Sequence, residues 1–204
     1  MSQIALPLAP GGVGNPSRIV VGNANAAALD ALSATGNWPF RTAVLAGPPR
    51  SGKSLIARWF AESAAGDVID DADRIDETEL FHRWNRAQER GTPLLLVNGA
   101  AAGWQITLPD LASRLGAALH LEIGAPDDAM LAELIMLHAE LRGLPLGDDA
   151  AAYLVPRARR SHIGAEQLVA TIDRLSLERK QPPTLSIWRD ALVEAFGQAE
   201  PRLR

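Results

Sequence analysis

Cysteine is absent from the 204 residues. Its absence excludes a disulfide framework and any thiolate-ligated metal site. The four histidines, at positions 82, 120, 138 and 162, are scattered and show no metal-ligand spacing. Excess positive charge is also missing. The formal net charge is −4, so a protein whose main task is to grip DNA by neutralising phosphates is not expected. No apolar run approaches the roughly 20 residues of a membrane-spanning helix. The first residues lack the charged segment followed by an apolar stretch that marks a secretory signal, so a cytoplasmic protein is expected. What the chain does have is 47 % hydrophobic residues, enough for a substantial core. Its length suits one large domain, or one core with a small second one.

Residues 1–8 are apolar. They are followed by Ala9-Pro10-Gly11-Gly12-Val13-Gly14-Asn15-Pro16, which reads as a flexible tether. Such a peptide suits either a strand that docks on its own domain or a short motif offered to a partner. From residue 19 the pattern becomes globular. Short apolar runs at 19–21, 42–47, 67–70, 94–98 and 120–123 read as strands, and 94–97 is apolar throughout, as a parallel strand buried on both faces requires. Helical patterns fall at 25–32, 53–65, 76–90 and 109–115; the third places Leu80, Phe81, Trp84 and Ala87 on one face. After Pro126 the strands stop, and 127–141, 148–155, 164–178 and 186–196 all read as helices. The expectation is an α/β parallel-sheet core followed by a small all-α lid, divided as 1–17, 18–125 and 126–204.

The run Gly47-Pro48-Pro49-Arg50-Ser51-Gly52-Lys53-Ser54 fits the phosphate-loop pattern G-x-x-x-x-G-K-[ST] at every fixed position. It lies between a strand-like and a helix-like segment, the context that makes the pattern chemically meaningful. Glycines allow backbone N–H groups to curl around phosphate oxygens, and the helix N-terminus favours negative charge. Lys53 is expected to reach the outer phosphates, Ser54 to ligate Mg²⁺, and Leu55 to continue the loop into its helix. Asp70 and Asp71 end a strand; the first suits the Mg²⁺ sphere and the second the orientation of an attacking water, although Asp70-Asp71-Ala72-Asp73 also reads as a solvated acidic turn. Asn98 ends another strand, where it could sense an outer phosphate or simply form a turn with Gly99.

With these residues in view, nearly the whole chain resembles the DnaA/Hda family of bacterial AAA+ ATPases, and within it the short regulatory members rather than full-length initiators. Besides the phosphate loop, four segments carry the resemblance. Gln3-Ile4-Ala5-Leu6-Pro7-Leu8 is similar to a sliding-clamp-binding peptide. Val20-Val21-Gly22-Asn23-Ala24-Asn25 is similar to the adenine-side segment, with Val21, Gly22 and Asn23 at the nucleotide. Asp70-Asp71 is similar to the second acidic motif. Leu108-Pro109-Asp110-Leu111-Ala112-Ser113-Arg114-Leu115 is similar to the box that carries an arginine finger, at Arg114.

The resemblance implies an AAA+ P-loop NTPase core with a helical lid, binding ADP or ATP with Mg²⁺. It implies Gln3, Ile4, Leu6, Pro7 and Leu8 as contacts to the DNA polymerase III sliding clamp (its beta subunit). It also implies DnaA as the protein whose bound ATP is hydrolysed with the help of Arg114. The alternatives are a self-contained ATPase of the helicase-loader type, acting as a homo-oligomer, and a non-hydrolysing clamp adaptor. Three departures from the family pattern are visible. Only a helix fits between Ser54 and Asp67, so the sheet is expected to be one edge strand narrower. Glu166 stands where the lid helix usually carries a nucleotide-contacting arginine, with Arg159 and Arg160 nearby. No helix-turn-helix segment follows residue 204, so sequence-specific DNA binding is not expected.

Overall fold

The computed structural model describes residues 6–7, 18–63, 66–100 and 103–197. By packing, the described residues divide into a sheet unit, within 25–124, and a helical unit formed by 125–197 together with 6–7 and 18–24.

In the sheet unit, α1 (Ala26–Ser33) precedes β3 (Thr42–Ala46), α2 (Lys53–Ser63), β4 (Asp67–Ile69), α3 (Glu77–Arg90), β5 (Leu94–Val97), α4 (Pro109–Gly116) and β6 (Leu119–Glu122). The labels β1 (Leu6–Pro7) and β2 (Arg18–Ile19) belong to a two-stranded antiparallel pair in the other unit. The sheet has the order β4-β5-β3-β6, and every pairing in it is parallel. It is four strands wide; among the described residues no strand intervenes between α2 and β4. The two central strands, β3 and β5, are buried almost completely because helices cover both faces.

Helix α3 shows how local sequence and packing agree. The Asp76 carboxylate caps it by accepting from the backbone N–H groups of Thr78 (3.0 Å) and Glu79 (3.1 Å). Gly91 stops it in the left-handed conformation, at φ 64°. Leu80, Trp84 and Ala87 recur on its buried stripe and join Val44, Leu94, Leu96, Leu111 and Leu115 in one apolar cluster. The Trp84 indole still satisfies its N–H, donating to Thr42 Oγ1 at 3.1 Å.

The helical unit contains α5 (Asp128–Leu141), α6 (Asp148–Leu154), α7 (His162–Arg179) and α8 (Leu185–Phe196). Asp127 caps α5 by accepting from Met130 N, and Ser161 caps α7 by accepting from Gly164 N. Ile135, Leu154, Leu168, Val169, Ile172 and Ile187 are buried in its centre. Arg18 ties the N-terminal segment to α5 through an ion pair with Glu140 at 2.9 Å. Among the described residues, no helix is long and apolar enough to cross a membrane.

Candidate functional site

In a parallel sheet all strand C-termini lie along one edge, and ligands bind where consecutive connections leave in opposite directions. Here that place is the end of β3, which has β5 on one side and β6 on the other. The phosphate loop leaves β3 there, Asp70 follows β4, and Asn98 follows β5. Sequence-distant candidates are therefore collected along one edge by topology alone.

The loop is shaped by close approach and by positive φ. A Cβ on Gly47 would lie 2.8 Å from Ile123 Cβ, so only glycine lets the loop pass the end of β6. Arg50 and Gly52 adopt φ of 64° and 85°; for a non-glycine residue such as Arg50 this stores strain of roughly 1 kcal/mol. Pro48 is half-buried, whereas Pro49 and Arg50 are exposed. Ser51 is buried, and its hydroxyl has no hydrogen-bond partner among the described residues. An orphaned buried hydroxyl is costly unless a ligand satisfies it. Lys53 sends its ammonium back onto the loop, donating to the carbonyl oxygens of Gly47 (2.8 Å) and Pro48 (3.1 Å). Burial pushes its pKa down, and the opposing pull of Asp70, Asp71 and Asp73 offsets part of that shift. Ser54 stands exposed in the first turn of α2, with Leu55 half-buried beside it. Strained backbone, an orphan hydroxyl and an ammonium borrowing carbonyls suit a phosphate chain.

The acidic turn after β4 is held against the end of β5. Asp71 takes a left-handed conformation, φ 49°, and its N–H bonds the Asp70 carboxylate at 3.0 Å. Asp73 Oδ1 accepts from Gly99 N at 2.6 Å, and a Cβ on Gly99 would lie 2.5 Å from Asp71 Oδ1. Gly99 thus lets the two turns touch. Asn98 is buried, with its backbone N–H on Leu45 O and its side-chain oxygen accepting from Ala100 N at 2.8 Å. That oxygen holds the Asn98–Ala100 turn. Sequence reading treated Asp73 as part of a solvated loop and did not single out Gly99 as the contact that anchors it.

Arg114 lies elsewhere in the sheet unit. Its guanidinium stacks over the rings of Trp84 (4.4 Å) and Phe81 (4.7 Å) and donates to Asn85 Oδ1 at 3.2 Å. It is not paired with Asp110 across one helical turn. The start of α4 is pinned by Glu77 of α3, a residue sequence reading missed. Its carboxylate accepts from Thr107 N (2.9 Å), Thr107 Oγ1 (2.9 Å) and Leu108 N (2.5 Å). These bonds hold the Glu77 carboxyl below the ordinary carboxylate range. The signal was faint: Glu77 looks like any first-turn acid.

In the helical unit, the Asn23 side chain accepts from Asp127 N at 2.9 Å and donates to Ala125 O at 3.4 Å; Val21 is half-buried and Gly22 buried. Arg160 forks onto Asp128 (2.8 and 2.9 Å), and Arg159 lies over the Phe196 ring. Of the peptide residues, Gln3, Ile4 and Leu8 lie outside the described residues. Leu6 and Pro7 pair with Ile19 and Arg18 along the backbone.

No protein-family model matches the chain. Solved structures do. Domain III of the Thermotoga maritima replication initiation protein DnaA matches with a TM-score of 0.67 at 13 % identity, over 87 % of this chain and 95 % of that one. The Thermotoga maritima RuvB Holliday junction branch migration motor matches at 0.61 and 21 % identity, over 88 % and 73 %. A replication initiator DnaA bound to AMPPCP and single-stranded DNA matches at 0.57 and 17 % identity, over 78 % of this chain and 65 % of that one. The narrow parallel sheet with its flanking helices is the AAA+ fold shared by DnaA domain III and RuvB.

Proposed function

We propose that the chain is an adenine-nucleotide-binding AAA+ regulator of replication initiation, tethered to the DNA-loaded sliding clamp and promoting hydrolysis of DnaA-bound ATP. The observation that carries the nucleotide part is the phosphate loop, with its orphaned Ser51 hydroxyl and a Lys53 ammonium turned back onto the carbonyl oxygens of Gly47 and Pro48. A bound Mg²⁺–nucleotide would supply the phosphate chain and its charge. Loop N–H groups and Ser51 bind phosphate oxygens, and Lys53 exchanges its two carbonyl acceptors for an anionic one. Ser54 and Asp70 would hold the metal, and Asp71 would orient water. Val21, Gly22 and Asn23 take the adenine side. Arg114 acts on the partner's nucleotide, where a guanidinium stabilises developing phosphoryl charge. Glu77 sets the start of the helix that carries it. Gln3, Ile4, Leu6, Pro7 and Leu8 engage the clamp, and tethering raises effective concentration. The proposal puts this function in the cytoplasm.

The test is hydrolysis of radiolabelled ATP on DnaA with clamp-loaded DNA. Wild type accelerates it, and Arg114→Ala lowers the stimulation by about a thousandfold, the lower range for an arginine finger. Intact initiator ATP in the presence of wild type sinks the proposal. Gln3→Ala with Leu6→Ala lowers clamp affinity; an unchanged affinity removes the peptide from it. A second reading, a self-contained ATPase acting as a homo-oligomer, draws on the loop of Lys53 and the strand ends before Asp70 and Asn98 lying along one sheet edge inside one chain. Turnover by the protein alone, rising with its concentration, favours that reading.

A further inference from the structure

The narrow sheet leaves β4 at its edge. Asp67 N donates to Pro93 O at 2.8 Å, and Asp67 is in register with Leu94 of β5. In a parallel ladder successive residues alternate sides, so Asp67 and Ile69 spend their backbone groups on β5 while the N–H and C=O of Val68 point away from the sheet. Beside this edge lies a groove of about 440 Å³, formed by β4, by Leu94, and by Glu79, Arg83, Arg86 and Arg90 of α3. The three arginines fall at i, i+3 and i+7 and form one stripe. Their ion pairs are weak or exposed. Arg83 meets Glu79 at 2.8 Å, but Arg86 reaches Glu79 only at 3.7 Å and Arg90 reaches Asp67 only at 3.5 Å. The Arg86 and Arg90 side chains are 59 % and 61 % exposed. Three guanidinium groups thus face two carboxylates, next to a strand edge that no other strand pairs among the described residues.

We infer that the β4 edge and the Arg83–Arg86–Arg90 stripe form a docking site for an extended acidic segment of a partner protein, which adds a strand beside β4. An added strand takes the Val68 N–H and C=O, and alternate acidic side chains take the guanidinium forks. The three residues of β4 offer an edge of about 10 Å, at roughly 3.3 Å per residue. The site therefore suits a short linear motif of modest affinity. A bare polyanion uses the charge but not the strand edge, which is why the protein segment is the better fit. The site stands whether or not the nucleotide reading holds.

The probe is a fluorescein-labelled peptide of alternating valine and glutamate, titrated into the full chain at low ionic strength. Anisotropy is read together with the amide resonance of Val68. Saturable binding is expected with a Kd of about 100 µM and a shift of the Val68 amide. The double variant Arg86→Glu, Arg90→Glu weakens it by about tenfold or more, that is about 1.4 kcal/mol. The milder Arg86→Gln, Arg90→Gln pair keeps the test readable if charge reversal disturbs α3. N-methylation of alternate peptide amides weakens binding as much. Equal binding of the N-methylated peptide and of an oligothymidylate overturns the inference in favour of a nucleic-acid surface. Self-association that shifts Val68 without peptide assigns the edge to a second copy. Absence of saturable binding means that the arginines only guard the edge.

Discussion

The phosphate loop and the α3–α4 shelf lie in the same unit and are built on opposite rules. In the loop, polar groups are left wanting. Ser51 has no partner, Lys53 makes do with two carbonyls of its own loop, and Arg50 sits at positive φ. On the shelf the corresponding polar groups have partners. Glu77 takes three donors, Arg114 has two aromatic rings and an amide oxygen, and Trp84 satisfies its indole N–H. A ligand site carries strain and unmet hydrogen bonds that the ligand relieves. A contact that sets the start of a helix, such as Glu77 on Thr107 and Leu108, is held by several bonds at once.

Breaking the shelf should cost most. Trp84→Ala removes a buried ring, its bond to Thr42 and half the platform under Arg114, and is expected to destabilise the fold by about 3–5 kcal/mol. Denaturant unfolding checks this, and a loss below about 1 kcal/mol would mean that the shelf is not packed as described. Breaking the loop should spare the fold and strike binding. Lys53→Ala is expected to weaken ATP binding by about a hundredfold, or about 2.8 kcal/mol, with an unfolding midpoint near wild type. Fluorescent-nucleotide titration measures it, and equal affinity of the two proteins would remove Lys53 from the site. The smallest effect sharpens the contrast through pH. The folded pKa of Glu77 is lowered, so its stabilisation is complete above the unfolded value of about 4.3 and is lost as pH falls through the folded value. Glu77→Gln should therefore melt below wild type at neutral pH, and the gap should close in acid. A gap independent of pH would show that charge is not what pins Thr107 and Leu108.

Legibility followed the range of the interactions. Helix α3 could be read because its cap, apolar stripe and stop are all local: Asp76, then Leu80, Trp84 and Ala87, then Gly91. The central strands could be read because burial on both faces leaves an unbroken apolar run. The phosphate loop could be read because eight consecutive residues carry its geometry. The narrower sheet was legible from the short distance between Ser54 and Asp67. By contrast, Glu77 meets Thr107 thirty residues away, Asp73 meets Gly99 twenty-six away, and Arg114 meets Asn85 twenty-nine away. No period or motif in the chain encodes those meetings.

The amino-acid sequence by itself determined the order and type of the main elements, the glycine-rich loop at 47–54 and the strand ends that carry Asp70 and Asn98. These depend on hydrophobic period, capping and glycine, which act within a few residues. Only the tertiary structure decided that Asn98 spends its side-chain oxygen on a turn, that Arg114 rests on aromatic rings, and that residues 18–24 pack with the helical unit. It also decided that β4 is an edge bordered by arginines. Each of those facts depends on which surfaces meet once the chain is compact, and a side chain's partner is then set by distance in space rather than along the sequence.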